Sequence, residues 1–513
     1  MDIKSMHIDK SMLKNGWFFI AAALFLLFAS VLYFRHQIPL ISYEADAIGY
    51  MARAESSWLT AHPFHGPAYS WAIKIMMFSG VDAFSAGKMI SILSTLLLIT
   101  CSWMLLDRKP LGFFIPFILV INPVLLSHSV LVLSDMMAAA LFMAVILLLG
   151  KYPESGIAML FAGVTGALAY LTRSLYLFIL LLPLLEWFFK TKPSSKIKHL
   201  SFFYIGFLVT ALPWSLYLFI EKGSPFWNLN YLNILFKMEG LDQGWREFPY
   251  FDDNASLSMV LSQPELFLKG WLKTLFALPK NIFKLFPHVG VLSALAVWFW
   301  IADIDRKKFF FILGLAIYSI LIALVWITDR FLLVYLPLVA VLLKEAVVKT
   351  PKHLRFDASF KSAPSRLIAA LPLQTLIMAM IFCITLALSL HNVPAFFNDE
   401  PTEFKQAAEW IEKQPQQPGT IMSAKPHIAY FSGAAYKSFR SSHLHMLSMQ
   451  ELVNLLNSIE PDYFIYDERY SLQAYPNLKS LLTPEKPEIP ESFSAVHVIP
   501  GPKKLVIYRL ESN

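Results

Sequence analysis

Apolar runs of about 20 residues, the length that crosses the hydrocarbon core of a bilayer, recur down this chain. They lie at 17–35, 85–106, 111–128, 131–150, 156–172, 174–190, 200–220, 286–302, 308–327, 329–348 and 367–391. A backbone in lipid has no water to bond, so each run is expected to close its own hydrogen bonds as a helix. Of the 513 residues, 56% are hydrophobic and 15% charged, against about 25% charged in an average soluble domain. Mean hydropathy is +0.53. Soluble domains cannot hide this much apolar surface. The expected fold class is a polytopic all-α membrane protein of about eleven transmembrane helices, followed by a small extracytoplasmic α/β domain.

The charges orient these spans. With the N-terminus inside, alternate connections carry Arg108 and Lys109, then Lys151, then Lys190, Lys192, Lys196 and Lys198. Arg306, Lys307 and Lys308 follow, and then Lys349, Lys352, Arg355, Lys361 and Arg366. All fall on one side, as the positive-inside rule requires. Loops 36–84 and 221–285 and the tail after His391 fall on the other. The run after Lys4, Lys10 and Lys14 resembles a signal peptide, but it is long enough to span and no small-residue cleavage site follows it, so it reads as the first span. The net charge of +7 comes from short clusters between spans. It speaks of membrane orientation, and no basic face or aromatic-basic motif points to nucleic acid.

Two domains are expected, a membrane domain at 1–391 and an outer domain at 392–513. The tail is mixed polar, with β-rich runs at Gly419–Ser423 and Tyr463–Tyr466. Helical segments are expected at 403–412 and 449–458, the second after Ser448 as an N-cap. Cys101 and Cys383 both lie in apolar runs, which excludes a disulfide framework and gives no metal-ligand spacing. No internal repeat is visible, which weighs against an inverted-repeat transporter.

Three groups of residues carry chemistry. The first outer loop reads Tyr43-Glu44-Ala45-Asp46-Ala47-Ile48-Gly49-Tyr50 and continues through His62-Pro63-Phe64-His65-Gly66-Pro67-Ala68-Tyr69. Ile48, Met51 and Ala54 recur at helical spacing, which fits an amphipathic helix lying on the membrane surface. Glu44 and Asp46 are then either solvated boundary acids or functional carboxylates. Ser134-Asp135 opens the fourth span at its outer end, where an ionisable group is either a helix cap or functional. Lys88, Arg173 and Arg330 lie at outer span ends, the side the positive-inside rule disfavours. They either snorkel or pair, as Asp329 permits for Arg330, or they bind a lipid phosphate.

Taken in order, these pieces resemble the GT-C superfamily of membrane glycosyltransferases, in particular the group of dolichyl-phosphate-mannose protein mannosyltransferases and aminoarabinose lipid A transferases. The resemblance rests on Asp46, Tyr50 and Ala54, on His65-Gly66-Pro67-Ala68-Tyr69, and on Ala86-Gly87-Lys88. It extends to Ser134-Asp135, to Arg330-Phe331 through Pro337, and to the tail from Ile421 to Gly433. It implies a glycosyltransferase that moves a sugar from a polyprenyl-phosphate donor to a lipid, glycan or protein acceptor. The setting it implies is a bacterial inner membrane, with catalysis on the extracytoplasmic face among membrane lipids. Asp46 is implied as the base of an inverting transfer, with Glu44 as the alternative. Lys88, Arg173 and Arg330 are implied as phosphate ligands, Asp135 as a group orienting acceptor or sugar, and Tyr50, His62 and His65 as further substrate contacts. A divalent metal is compatible with this chemistry, but no sequence feature points to one. The competing readings are a lipid or sugar transporter and a structural envelope subunit. Neither needs acids in a long surface loop.

Overall fold

Lipid-facing helices are specified by apolar composition more than by pattern, because only the side packed on protein distinguishes one residue from the next. The computed structural model describes residues 45–106, 114–189, 197–238, 262–294, 297, 306–325, 327–349, 373–397, 400–416, 418–439, 447–485, 489–501 and 503–510. The chain divides into two units. One comprises residues 57–228 and 271–398 together with the N-terminal run. The other comprises 39–56, 229–270 and 399–513.

The first unit is helical. Five described helices are long and apolar enough to cross a membrane: Ala83–Leu105, Ser134–Lys151, Lys198–Lys222, Asp329–Val348 and Leu376–Phe396. Gly156–Thr172 and Ser174–Glu186 are shorter apolar helices. The Ser134–Lys151 helix packs against both the Ala83–Leu106 and Gly156–Thr172 helices and is buried along most of its length. The Gly156–Thr172 helix meets Ile197–Lys222 backbone to backbone. A Cβ on Gly163 would stand 1.9 Å from the Phe203 carbonyl oxygen, and one on Gly206 2.3 Å from that of Leu160. Only glycine permits that approach, the usual small-residue device of helix packing in membranes. The opposite flank of Ile197–Lys222 exposes Leu208, Val209, Leu212, Leu216 and Phe219, a surface suited to lipid.

Three expected spans differ in detail. The run 111–128 is not one helix but two, Phe114–Val120 and Pro123–Ser129. Pro123 cannot continue the ladder. Asn122 instead caps the second helix, accepting from Leu125 N at 2.9 Å and donating to the Leu285 carbonyl at 2.7 Å. The 174–190 run starts as a 3₁₀ helix, Ser174–Leu180, before becoming α-helical at Leu181–Phe189. The run 329–348 does the same, with a 3₁₀ turn at Asp329–Tyr335 preceding Leu336–Lys349. The run 17–35 and much of 286–302 lie outside the described residues.

The bundle has two distinct poles. At one, Arg306 donates from Nε to the Leu149 carbonyl at 3.0 Å and pairs with buried Glu186. Lys151, Lys307 and Lys308 neighbour these residues in sequence. At the other, the chain reversals at Leu133–Ser134, Thr172–Ser174 and Thr328–Asp329 come together through the contacts described below.

The second unit contains the Ala45–Glu55 and Thr402–Glu412 helices and a five-stranded sheet. Its strands are β1 (Thr420–Ser423), β2 (Ala435–Ser438), β3 (Tyr463–Asp467), β4 (Phe493–Ile499) and β5 (Leu505–Leu510), in the order β2-β1-β3-β5-β4. β1 runs parallel to β2 and β3, while β5 is antiparallel to β3 and β4. Strand alternation divides the core. Met422, Phe464, Val506 and Tyr508 pack on one face with Leu452 and Leu456 of the Met449–Ile459 helix. Ile421, Ile465 and Ile507 pack on the other with Phe404, Ala407 and Ile411. Ser448 caps the Met449–Ile459 helix through a reciprocal box with Glu451, and a buried Arg469–Glu403 pair at 2.6 Å ties β3's exit to Thr402–Glu412.

Candidate active site

The second pole of the bundle concentrates charge. Asp135 sits in the first turn of Ser134–Lys151, is 5% exposed, and does not cap the helix, since Leu133 holds the cap position without a side-chain bond. Its partner is Arg173, whose Nη2 lies 2.7 Å from both carboxylate oxygens. Arg173 is available because the chain breaks there. It ends Gly156–Thr172 with φ −144° and ψ 119° before the 3₁₀ turn begins.

Phe331 then joins two cations. The Arg173 guanidinium carbon is 4.8 Å from its ring centroid and that of Arg330 is 5.0 Å away. The ring's negative face attracts each guanidinium, which offsets part of their mutual repulsion. The backbone of Phe331 is held from below: Tyr318 donates its hydroxyl to the Phe331 carbonyl at 2.8 Å. Tyr318 packs 5.4 Å from Tyr176 and 5.9 Å from Tyr335, and the Tyr335 hydroxyl lies 2.7 Å from that of Ser319. His128 lies nearby on Pro123–Ser129, a helix that packs against the Asp329–Tyr335 turn.

The first-loop motif is built into this pole. A Cβ on Gly66 would fall 1.9 Å from the Leu171 carbonyl oxygen, so the loop is seated on the backbone two residues before Arg173. Tyr69 donates to the Gly87 carbonyl at 3.0 Å and lies 3.1 Å from the Ser91 hydroxyl. Ser91 in turn donates to the Leu131 carbonyl at 2.6 Å. One buried network thus joins three motifs and fixes the approach to Ser134-Asp135. His62 accepts at Nδ1 from the Phe64 and His65 amides at 3.2 Å, and its ring stacks on His65 at 4.3 Å. Lys88 lies over the Phe84 ring at 4.0 Å, one helical turn earlier. Of the three expected phosphate ligands, Arg173 and Arg330 thus share an aromatic ring, whereas Lys88 has its own on the Ala83–Leu106 helix.

Asp46 and Tyr50 belong to the second unit, on Ala45–Glu55. Glu44 lies outside the described residues. Asp46, Tyr50 and Arg53 recur at helical spacing on one face. Tyr50 is buried and Asp46 half-buried. Arg53 is buried, donates from Nε to the Gly49 carbonyl at 3.1 Å, and lies 5.4 Å from the Tyr50 ring. Burial pulls the Arg53 guanidinium down to about 10, against the opposing pull of Tyr50 and Asp46. Ile48, Met51 and Ala54 are at most 5% exposed. The expected lipid-facing stripe of this helix is therefore covered by protein. Glu55 accepts from the Tyr430 hydroxyl at 2.7 Å.

Among the described residues no three His, Cys, Asp or Glu side chains are grouped to hold a metal ion. Sequence reasoning missed His128 and Tyr318. His128 carried a signal, an ionisable group at the end of an apolar run. Tyr318 carried none, since aromatics are common in spans, and Phe331 was named only beside Arg330, without its contact to Arg173.

The fold is similar to those of solved ArnT and oligosaccharyltransferase structures. The chain is similar to ArnT from Cupriavidus metallidurans in the apo state, with a TM-score of 0.59 and 14% identity over 96% of this chain and 98% of that one. Against the same enzyme bound to undecaprenyl phosphate the TM-score is 0.57, with 14% identity and the same coverage. The oligosaccharyltransferase AglB from Archaeoglobus fulgidus, in complex with an inhibitory peptide and a dolichol-phosphate, gives 0.50 and 11% identity over 91% of this chain and 72% of that one. No family model matches the sequence, and no curated protein matches it.

Proposed function

We propose that this chain is a glycosyltransferase that moves a sugar from a polyprenyl-phosphate donor to a lipid, glycan or protein acceptor. The observation that carries the reading is the pairing of Arg173 and Arg330 on Phe331, with Asp135 holding Arg173, in a fold shared with a protein that binds undecaprenyl phosphate. Two guanidiniums at the end of an apolar bundle suit a lipid phosphate, whose head is anionic and whose tail is hydrocarbon.

The chemistry is an inverting displacement. The acceptor hydroxyl oxygen attacks the anomeric carbon while the bond from that carbon to the phosphate oxygen breaks. Asp46 takes the hydroxyl proton, with Glu44 as the alternative base. Arg53 supports the ionised form of Asp46 by its charge. Arg173 and Arg330 receive the charge that grows on the leaving phosphate. Lys88 is assigned to the same anion. Asp135 acts as a positioning residue for Arg173, in place of orienting the acceptor or the sugar as the resemblance implied. Tyr50, His62 and His65 are assigned to substrate contacts.

The finer topology belongs to this reading: about eleven spans, a bacterial inner membrane, and an extracytoplasmic site and C-terminal domain at 392–513. It is supported by the basic pole around Arg306, Lys307 and Lys308, opposite the Asp135–Arg173 pole. The test is a donor and acceptor screen on protein reconstituted in lipid. Release of polyprenyl phosphate coupled to sugar transfer is expected. Vectorial movement of the lipid without bond cleavage would favour a transporter instead.

A further inference from the structure

The helix Pro264–Lys284 carries a row of charges that the transfer reaction does not use. Two bonds tie it to the helical bundle. The Trp271 indole donates to the Ile320 carbonyl at 3.0 Å. The carbonyl of Leu285, which follows the helix, accepts from Asn122 at 2.7 Å. Arg306–Ile322 begins at the basic pole with Arg306, so Ile320 lies at its far end. Asn122 caps Pro123–Ser129, the helix that packs against the Asp329–Tyr335 turn. Both ties thus fall on the half of the bundle that ends in Asp135 and Arg173. The stretch between them, Trp271 to Leu285, is about 21 Å of chain at helical rise. A span runs from pole to pole, whereas this helix stays at one.

Its two sides differ in kind. Trp271, Leu275, Leu278 and Ile282 recur at helical spacing and are buried or half-buried, Leu278 being 3% exposed. Lys273, Lys280 and Lys284 recur along another side and are exposed. Phe276 flanks them and is 79% exposed. Lys269 stands one turn before Lys273 in the same row, and no acid lies between Trp271 and Lys284. Ammonium groups are costly in hydrocarbon, and a bare phenyl ring is costly in water. The membrane interface accepts both, with the ring at the acyl boundary and the lysines among the phosphates.

We propose that Trp271–Lys284 lies in the plane of the membrane interface and docks on anionic phospholipid. Lys273, Lys280 and Lys284 hold the headgroup phosphates, and Phe276 enters the acyl boundary. The occupant is set by charge, since three lysines without an acid complement an anionic lipid surface. It is set also by place, since the helix is tied to a bundle of membrane-spanning helices. Such a contact registers the charged pole at the depth of the headgroups. The proposal rests on the membrane character of the bundle and needs no sugar donor.

The test is local. A fluorophore is attached at the exposed Ala277 through Ala277→Cys, in a Cys101→Ala, Cys383→Ala background of the full chain. The labelled protein is placed in nanodiscs of phosphatidylcholine containing a minority of phosphatidylglycerol, and either lipid is supplied brominated to quench the label. At low salt, phosphatidylglycerol is expected to be enriched beside the label by at least about fivefold, the worth of one lysine near an anionic surface. The enrichment should fall toward parity in high salt, which screens the lysines, and in the triple variant Lys273→Gln, Lys280→Gln, Lys284→Gln. Equal quenching by both lipids at low salt overturns the anionic preference. A preference kept by the folded triple variant overturns the role of the lysines. No quenching by either lipid overturns the interfacial placement and indicates a protein or glycan partner. Should the triple variant not fold, salt decides, and a preference that high salt leaves unchanged overturns the proposal. The transfer reading stands under every one of these outcomes.

Discussion

Arg173 holds both carboxylate oxygens of Asp135 through one nitrogen, Nη2, at 2.7 Å, across 38 residues of sequence. Arg173 is left facing Phe331 with its charge already matched by a buried acid. Removing either partner alone strands a charge in a low-dielectric setting, while removing both does not. Asp135→Ala and Arg173→Ala are each expected to lower stability by about 3–5 kcal/mol. The double variant Asp135→Ala with Arg173→Ala should recover part of that loss while transfer stays abolished. Thermal unfolding in detergent, run as a double-mutant cycle, checks this. Strictly additive losses would show that the pair is not coupled.

Gly66 gives a steric test of how the first loop is seated. A methyl group there meets the Leu171 carbonyl at 1.9 Å, and backbone on both sides leaves no flexible side chain to yield. Gly66→Ala is expected to cost about 1–3 kcal/mol and to reduce transfer by shifting the chain beside Arg173. A wild-type Tm with wild-type activity would mean that the loop does not rest on this backbone.

Asp46 and Glu44 are separated by direct substitution. Asp46→Asn keeps the size and hydrogen bonding of the side chain but cannot take a proton. It is expected to lower turnover by about 10²–10⁴ with little change in Tm. Glu44→Gln should retain most activity. The reverse pattern assigns the base to Glu44, and full activity in both removes the first-loop acids from the reaction.

Topology has its own measurement. Reporter fusions after Lys198 and Lys308 should read cytoplasmic and a fusion at Asn513 extracytoplasmic, because the Lys and Arg residues cluster on alternate connections. A cytoplasmic reading at Asn513 would invert the assigned face of the site.

Local signals in the sequence carried well into the structure. The runs at Gly419–Ser423 and Tyr463–Tyr466 overlie β1 and β3, and Ser448 caps the helix expected after it. Asp135, Arg173 and Arg330 stood out because charge at the end of an apolar run is costly without a purpose. Their pairing was not legible, since it depends on three helix ends meeting in space. Pro123 announced the break in 111–128, but the surrounding hydropathy outweighed it. The burial of Ile48, Met51 and Ala54 was also hidden. Helical periodicity marks an apolar face without saying whether lipid or protein covers it.

The most direct measurement is the affinity of reconstituted protein for undecaprenyl phosphate, wild type against Arg330→Ala, at fixed ionic strength. Loss of a charge-assisted bond worth about 1.5–3 kcal/mol corresponds to weakening by about 10- to 150-fold. The account predicts a shift in that range with the protein still folded. Unchanged affinity in folded Arg330→Ala, or no binding by wild type, would contradict it.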